Sequence, residues 1–159
     1  MKHYKVLIID DEISTIRIII DILEISNPNY TLFFATNGET GCKIAKSHTP
    51  DLIITDWDMP IMSGIETIIN LKKHNTTKHI PIIMLTGKMT SSENLQTALD
   101  AGAIDYIRKP IDEIELVARI RSMLLLADYY TETIKMKDRE LAVATMNMFK
   151  QNQRTSKIV

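Results

Sequence analysis

Short apolar runs rich in isoleucine alternate with longer amphipathic stretches over the first two thirds of this chain. The runs fall at about 4–9, 30–35, 51–56, 80–85 and 103–107. Stretches with apolar positions three and four apart lie between them, near 13–26, 38–48, 64–74 and 91–101, and again from 111 onward. Strands alternating with helices predict an α/β fold with a parallel sheet covered on both faces. Leu7-Ile8-Ile9 is continuously apolar rather than alternating, as a strand buried on both sides requires. Local signals agree. Asn37 before Gly38 can start the second helix, with Glu39 in its first turn. Pro50 breaks the chain before the third strand, Pro81 opens the fourth, and Gly102 can cap the fourth helix. Gly41 is discordant: a glycine inside a helix costs about 1 kcal/mol against alanine, and nothing nearby in the sequence offsets it.

All five glycines and all five prolines lie at or before position 110, and the rest of the chain has neither. Turn chemistry therefore stops, and a long helix is expected from Ile111. Ile120, Met123, Ala127, Tyr130, Ile134, Lys137, Leu141, Ala144 and Met148 recur at alternating three- and four-residue steps, a heptad seam with Lys137 as its one polar member. Two readings are open: an amphipathic helix folded back on the domain, or a parallel dimeric coiled coil, which is preferred. The expected division is a domain over 1–126 and a helical extension over 127–159, with the polar run Gln151–Lys157 frayed.

Composition narrows the class. The apolar fraction of 45% is enough for a full core. Nineteen basic against 20 acidic residues leave a net charge of -1, so no global basic field exists to draw nucleic acid or anionic lipid. Cys42 is the only cysteine, so an intrachain disulfide is excluded, as suits a reducing cytoplasm. Met1-Lys2-His3-Tyr4-Lys5 leads into only four apolar residues before Asp10 and Asp11, too short a run for a signal peptide or a membrane span. His3, His48, His74 and His79 lack convergent spacing and read as surface residues, not zinc ligands.

The candidate chemistry sits at strand ends. Asp10 and Asp11 end the first run, Asp56 the third, Thr86 the fourth, and Lys109 the fifth. If the strands are parallel, these groups meet at the carboxyl edge, where open α/β sheets bind ligands. Asp10 and Asp11 are unfavourable together without a cation, and with Asp56 they offer the hard oxygen ligands that Mg2+ prefers. Capping of the first helix is the competing reading, but it needs only one aspartate. Asp56 is the candidate nucleophile for a phosphoryl group. Lys109 can supply positive charge, Thr86 a hydroxyl and Gly87 a closely approaching backbone N–H.

These residues bring the chain to a known family. The span from about 4 to 126 resembles the receiver domain of two-component response regulators. The matches are Leu7-Ile8-Ile9-Asp10-Asp11-Glu12, Asp51-Leu52-Ile53-Ile54-Thr55-Asp56-Trp57-Asp58-Met59-Pro60 with Gly64, Pro81-Ile82-Ile83-Met84-Leu85-Thr86-Gly87, Ala101-Gly102-Ala103 and Asp105-Tyr106-Ile107-Arg108-Lys109-Pro110. Each is weak alone; in this order and spacing they are specific. The resemblance implies a flavodoxin-like, doubly wound five-stranded sheet of order 2-1-3-4-5. It implies that Asp56 takes phosphate from a histidine kinase or phosphotransfer protein. It implies Mg2+ held by Asp11, Asp56 and the carbonyl of Asp58, with Asp10 acting through water. It implies a switch in which Thr86 moves inward and Tyr106 follows, and no enzymatic activity beyond self-catalysed phosphotransfer and dephosphorylation.

Departures and extensions follow from the same resemblance. Gly87 stands where alanine is common. Asp58 and Lys88 occupy the two positions that flank the phosphate, and their pairing is expected to prolong the acyl phosphate. Glu115-Leu116-Val117-Ala118-Arg119-Ile120 is similar to the DNA-binding branch, in which Asp105 would pair with Arg119 of a partner copy, although Ile104 departs from that branch. A homodimer is expected, with the output domain outside this chain and no direct binding of nucleic acid or membrane. Two rivals remain: a receiver-like scaffold that works without phosphorylation, and a haloacid-dehalogenase-type phosphatase suggested by Asp56-Trp57-Asp58. The second has its aspartates in the wrong order and lacks a cap domain.

Overall fold

The computed structural model describes residues 2–87 and 91–156. Five strands, β1 (Tyr4–Ile9), β2 (Tyr30–Ala35), β3 (Leu52–Asp56), β4 (Ile82–Thr86) and β5 (Asp105–Arg108), form one parallel sheet of order β2-β1-β3-β4-β5. The helices are α1 (Ile13–Ser26), α2 (Gly38–His48), α3 (Gly64–Lys73), α4 (Ser92–Ala101) and α5 (Glu113–Ser156). The chain divides into two units, Met1–Leu124 and Leu125–Val159.

In the first unit the apolar runs divide residue by residue between two cores. Leu7, Ile9, Ile53, Ile82 and Met84 point to one face, against Cys42 and Ala45 of α2, Ile68 and Leu71 of α3 and Ala98 of α4. Val6, Ile8, Leu52, Ile54, Ile83 and Leu85 point to the other, against Ile16, Ile19 and Leu23 of α1 and Leu116, Ile120 and Leu124 of α5. Successive side chains on a strand take opposite faces, so a run buried at every position needs helices on both. The register Ile53↔Ile82, Ile54↔Ile83 keeps neighbouring strands in step across each core.

The helix ends follow the signals in the sequence. The Asn37 side chain accepts the Thr40 N–H at 2.8 Å and caps α2. Gly102, at φ 120, ends α4 by donating to the carbonyls of Ala98 and Leu99. Gly41 finds its compensation here: a Cβ at that position would run into the Ile9 side chain. Its bare backbone lets α2 lie close on β1, which a local reading could not show.

In the second unit, residues 125–156 are helical and none is buried. Gln151–Ser156, expected to fray, lies within the helix, since no glycine or proline interrupts its ladder. The heptad seam is shorter than its period implies. Ile120 is fully buried in the first unit's core and Met123 packs against that core, so of the residues on the expected seam only those from Ala127 on are left without cover from that core. The core-facing turns of α5 and the seam share one period, so the pattern ran on across the boundary.

Candidate functional site

Four of the five strands, β1, β3, β4 and β5, deliver chemistry where they leave the sheet. Asp10 and Asp11 follow β1, Asp56 and Thr86 are the last residues of β3 and β4, and Lys109 follows β5. With all strands parallel, these positions share the carboxyl edge.

Asp10, Asp11 and Asp56 each place a carboxylate oxygen within 4.8 Å of the others. Asp10 and Asp56 are buried and Asp11 is exposed. Lys109 Nζ lies 3.0 Å from Asp10 Oδ2 and 3.1 Å from Asp56 Oδ1. One ammonium is thus shared by two buried carboxylates with a third alongside. Burial pushes the Asp56 carboxyl up to about 6, the Asp10 charge pushes the same way, and Lys109 and the Trp57 N–H oppose them. Burial also raises Asp10, against the Glu12 N–H and Lys109. Burial acts to lower Lys109, but hydrogen bonds and charge from Asp10 and Asp56 outweigh it and its pKa rises. Three carboxylates against one ammonium leave a surplus of negative charge, and the residues fit a hard divalent cation with oxygen ligands. Capping does not account for the aspartate pair: the N-cap of α1 is Glu12, and its side chain makes no cap bond. Asp10 Oδ1 instead accepts the Glu12 N–H at 2.9 Å, fixing the turn into α1.

The loop after Asp56 is pinned against the site. The Trp57 N–H donates to the Leu85 carbonyl at 3.0 Å, and the Gly64 N–H donates to the Trp57 carbonyl at 2.8 Å. A Cβ on Gly64 would strike the Asp56 carbonyl oxygen, so only glycine lets α3 begin this close. That requirement was missed in the sequence, where Gly64 counted only as part of a motif; its signal was Ser63-Gly64 at the head of a helical run. Met59 is buried, while Ile61 between Pro60 and Met62 is 98% exposed. The Met62 N–H reaches back to the Pro60 carbonyl at 2.8 Å, a γ-turn with Ile61 at φ 72. Asp58 is exposed, and its carboxylate is not part of the acidic cluster.

Thr86 is 3% exposed, and its carbonyl accepts the Lys109 N–H at 2.8 Å. Gly87 is exposed, and a Cβ there would meet nothing within 4 Å, so space does not demand glycine at that position. Tyr106 is half-buried against the core under α2, α3 and α4, with the Arg108 guanidinium 6.0 Å from its ring centre. Arg119 donates to Asp105 Oδ2 of its own chain at 2.9 Å and to Glu115 Oε1 at 2.9 Å. The expected pairing with a partner's residue would require this internal pair to open. Lys88 lies outside the described residues.

The family model for the response regulator receiver domain matches residues 6–121. The chain belongs to this receiver family. It is 40% identical over 124 residues to the phosphate regulon transcriptional regulatory protein PhoB of Pseudomonas aeruginosa, covering 78% of this chain and 53% of that protein. It is 40% identical over 120 residues to the response regulator ArlR of Staphylococcus saprophyticus, covering 76% and 52%. Among solved structures, the chemotaxis protein CheY4 of Vibrio cholerae superposes with a TM-score of 0.72 at 30% identity, over 77% of this chain and 99% of that one. The receiver chain thus spans about half the length of the curated relatives it matches. Receivers are signalling domains rather than classical enzymes. No helix among the described residues is long and apolar enough to cross a membrane.

Proposed function

We propose that this receiver accepts a phosphoryl group on Asp56 from the phosphohistidine of a histidine kinase or phosphotransfer protein. The observation that carries the reading is one buried carboxylate, Asp56, held 3.1 Å from Lys109 beside two further aspartates. The donor's N–P bond breaks, an O–P bond forms at an Asp56 Oδ, and the imidazole leaves with the electron pair. Asp56 must be ionised to attack, and Lys109 favours that form. Lys109 also offers a positive charge to the phosphoryl oxygens, and Thr86 a hydroxyl from a nearly closed position. Asp11, Asp56 and the Asp58 carbonyl would hold Mg2+, with Asp10 acting through water; the bound ion supplies charge neutralisation for the transferring group. The phosphorylated state then biases Thr86 and Tyr106 toward a second arrangement, read by a partner or an output domain. Two copies associate through the helical unit.

Intact-mass measurement after treatment with acetyl phosphate and Mg2+ tests this. A gain of one phosphoryl group that disappears in Asp56→Asn supports it. No gain, or a gain that survives the substitution, overturns it and leaves the phosphorylation-independent scaffold. The phosphatase reading is not favoured, because the match and the strand order are those of receivers.

A further inference from the structure

The second unit shows apolar side chains with no cover of its own: Ile134 is 38% exposed, Leu141 68% and Met148 66%. With Ala127 they repeat every seven residues, as the a positions of a coiled coil; Tyr130, Lys137 and Ala144 take the d positions. Lys137 is the anomaly, a cation in the middle of the seam. Its neighbour Asp138 falls at e, on the other flank of the stripe. Consecutive helix residues point about 100° apart and do not face each other. Neither residue is in an ion pair with another described residue of its own chain.

We propose that a second copy of this chain covers the seam in parallel and in register, and that the Lys137 of each copy is neutralised by the Asp138 of the other. In a parallel pair of helices, a d side chain packs beside the d and e residues opposite. The layer at 137 then holds two lysines and two aspartates, cross-paired and neutral. A slip by one heptad would set Lys137 beside Thr131 or Thr145 and leave it unpaired. Turning one helix round would set e against e, where Thr131, Thr145 and Asn152 carry no positive charge. The layer is weaker than an apolar one, and it selects a single register. This rests on the pairing of copies proposed above, not on phosphorylation.

Sedimentation equilibrium on the full chain tests the proposal, with helix content checked by circular dichroism. Asp138→Lys, which makes the layer wholly cationic, is expected to weaken the dimer by about tenfold or more. Lys137→Met is expected to tighten it by about tenfold and to remove its sensitivity to salt. The exchanged pair Lys137→Asp with Asp138→Lys is expected to return to within about threefold of the original. Ala144→Cys, on oxidation, is expected to yield a cross-linked peptide joining position 144 to itself. A monomer at every concentration defeats both the paired-receiver reading and this inference. A dimer whose affinity ignores positions 137 and 138, an assembly larger than a dimer, or a failure of position 144 to cross-link defeats this inference alone.

Discussion

Leu116 and Leu141 belong to the same helix, yet the first has 0% of its surface exposed and the second 68%. The period around each is alike, and so is the chemistry. What differs is whether a sheet lies opposite. Up to Leu124 the apolar side of α5 closes the core formed by Val6, Ile8, Ile54 and Leu85. Beyond it the same kind of stripe continues with nothing from its own unit to bury it. A helical repeat therefore reports that a face is apolar, not what covers it.

The sharpest way to test that contrast is to make one change in both places. Leu116→Ala should cost the receiver about 2–5 kcal/mol, through lost burial and the cavity left behind. Leu141→Ala should change receiver unfolding by less than about 0.5 kcal/mol. Urea unfolding followed by Trp57 fluorescence, which reports on the first unit, separates them. Equal losses would mean that the helical stripe is coupled to the folding of the receiver itself.

The next test concerns the other place where the receiver holds an unmet demand, the acidic edge. The Asp56 carboxyl is raised from 3.8 to about 6 in the fold. A raised carboxyl favours the protonated fold, so its stability contribution is full below about pH 4 and is lost as pH rises through about 6. Asp56→Asn should therefore stabilise the metal-free protein at pH 7.5 by on the order of 1–3 kcal/mol, with the gain vanishing toward pH 4. Mg2+ should raise the thermal midpoint of the native chain and leave that of the variant nearly unchanged. Denaturant titrations at several pH values check the sign.

Gly64→Ala should follow, costing about 1–3 kcal/mol because the new Cβ meets backbone rather than a yielding side chain. It should also slow phosphorylation by acetyl phosphate, since the atom displaced is the carbonyl of Asp56. A small effect is expected at Arg119, whose pairs with Asp105 and Glu115 are partly exposed to solvent. Arg119→Ala should cost about 0–1 kcal/mol in thermal unfolding. A larger loss would place this surface with the sealed core rather than with the open helix.

The receiver's strands were legible because short runs such as Val6-Leu7-Ile8-Ile9, bounded by polar residues and alternating with longer helical patterns, fit strands covered on both sides. The site was legible because parallel strands send their last residues to one edge. What escaped depended on contacts distant in sequence. Gly41 looks costly until Ile9 is seen against it. Gly64 looks like one letter of a motif until the Asp56 carbonyl is found in the way. Ile120 and Met123 joined the seam because a period cannot tell a sheet from a second helix. Asp105 and Arg119, 14 residues apart, also pair within one chain, which the expected pairing between copies did not include.

The hydrogen bond from the Lys109 amide to the Thr86 carbonyl, with Thr86 in register with Arg108, yokes the two backbones beneath the acceptor. Neither strand end can slide without dragging the other. If Asp56 takes a phosphoryl group as proposed, rotation of side chains over this frame is the expected route outward. The Lys109 amide should stay among the slowest to exchange with deuterium whether or not the aspartate carries its phosphoryl group.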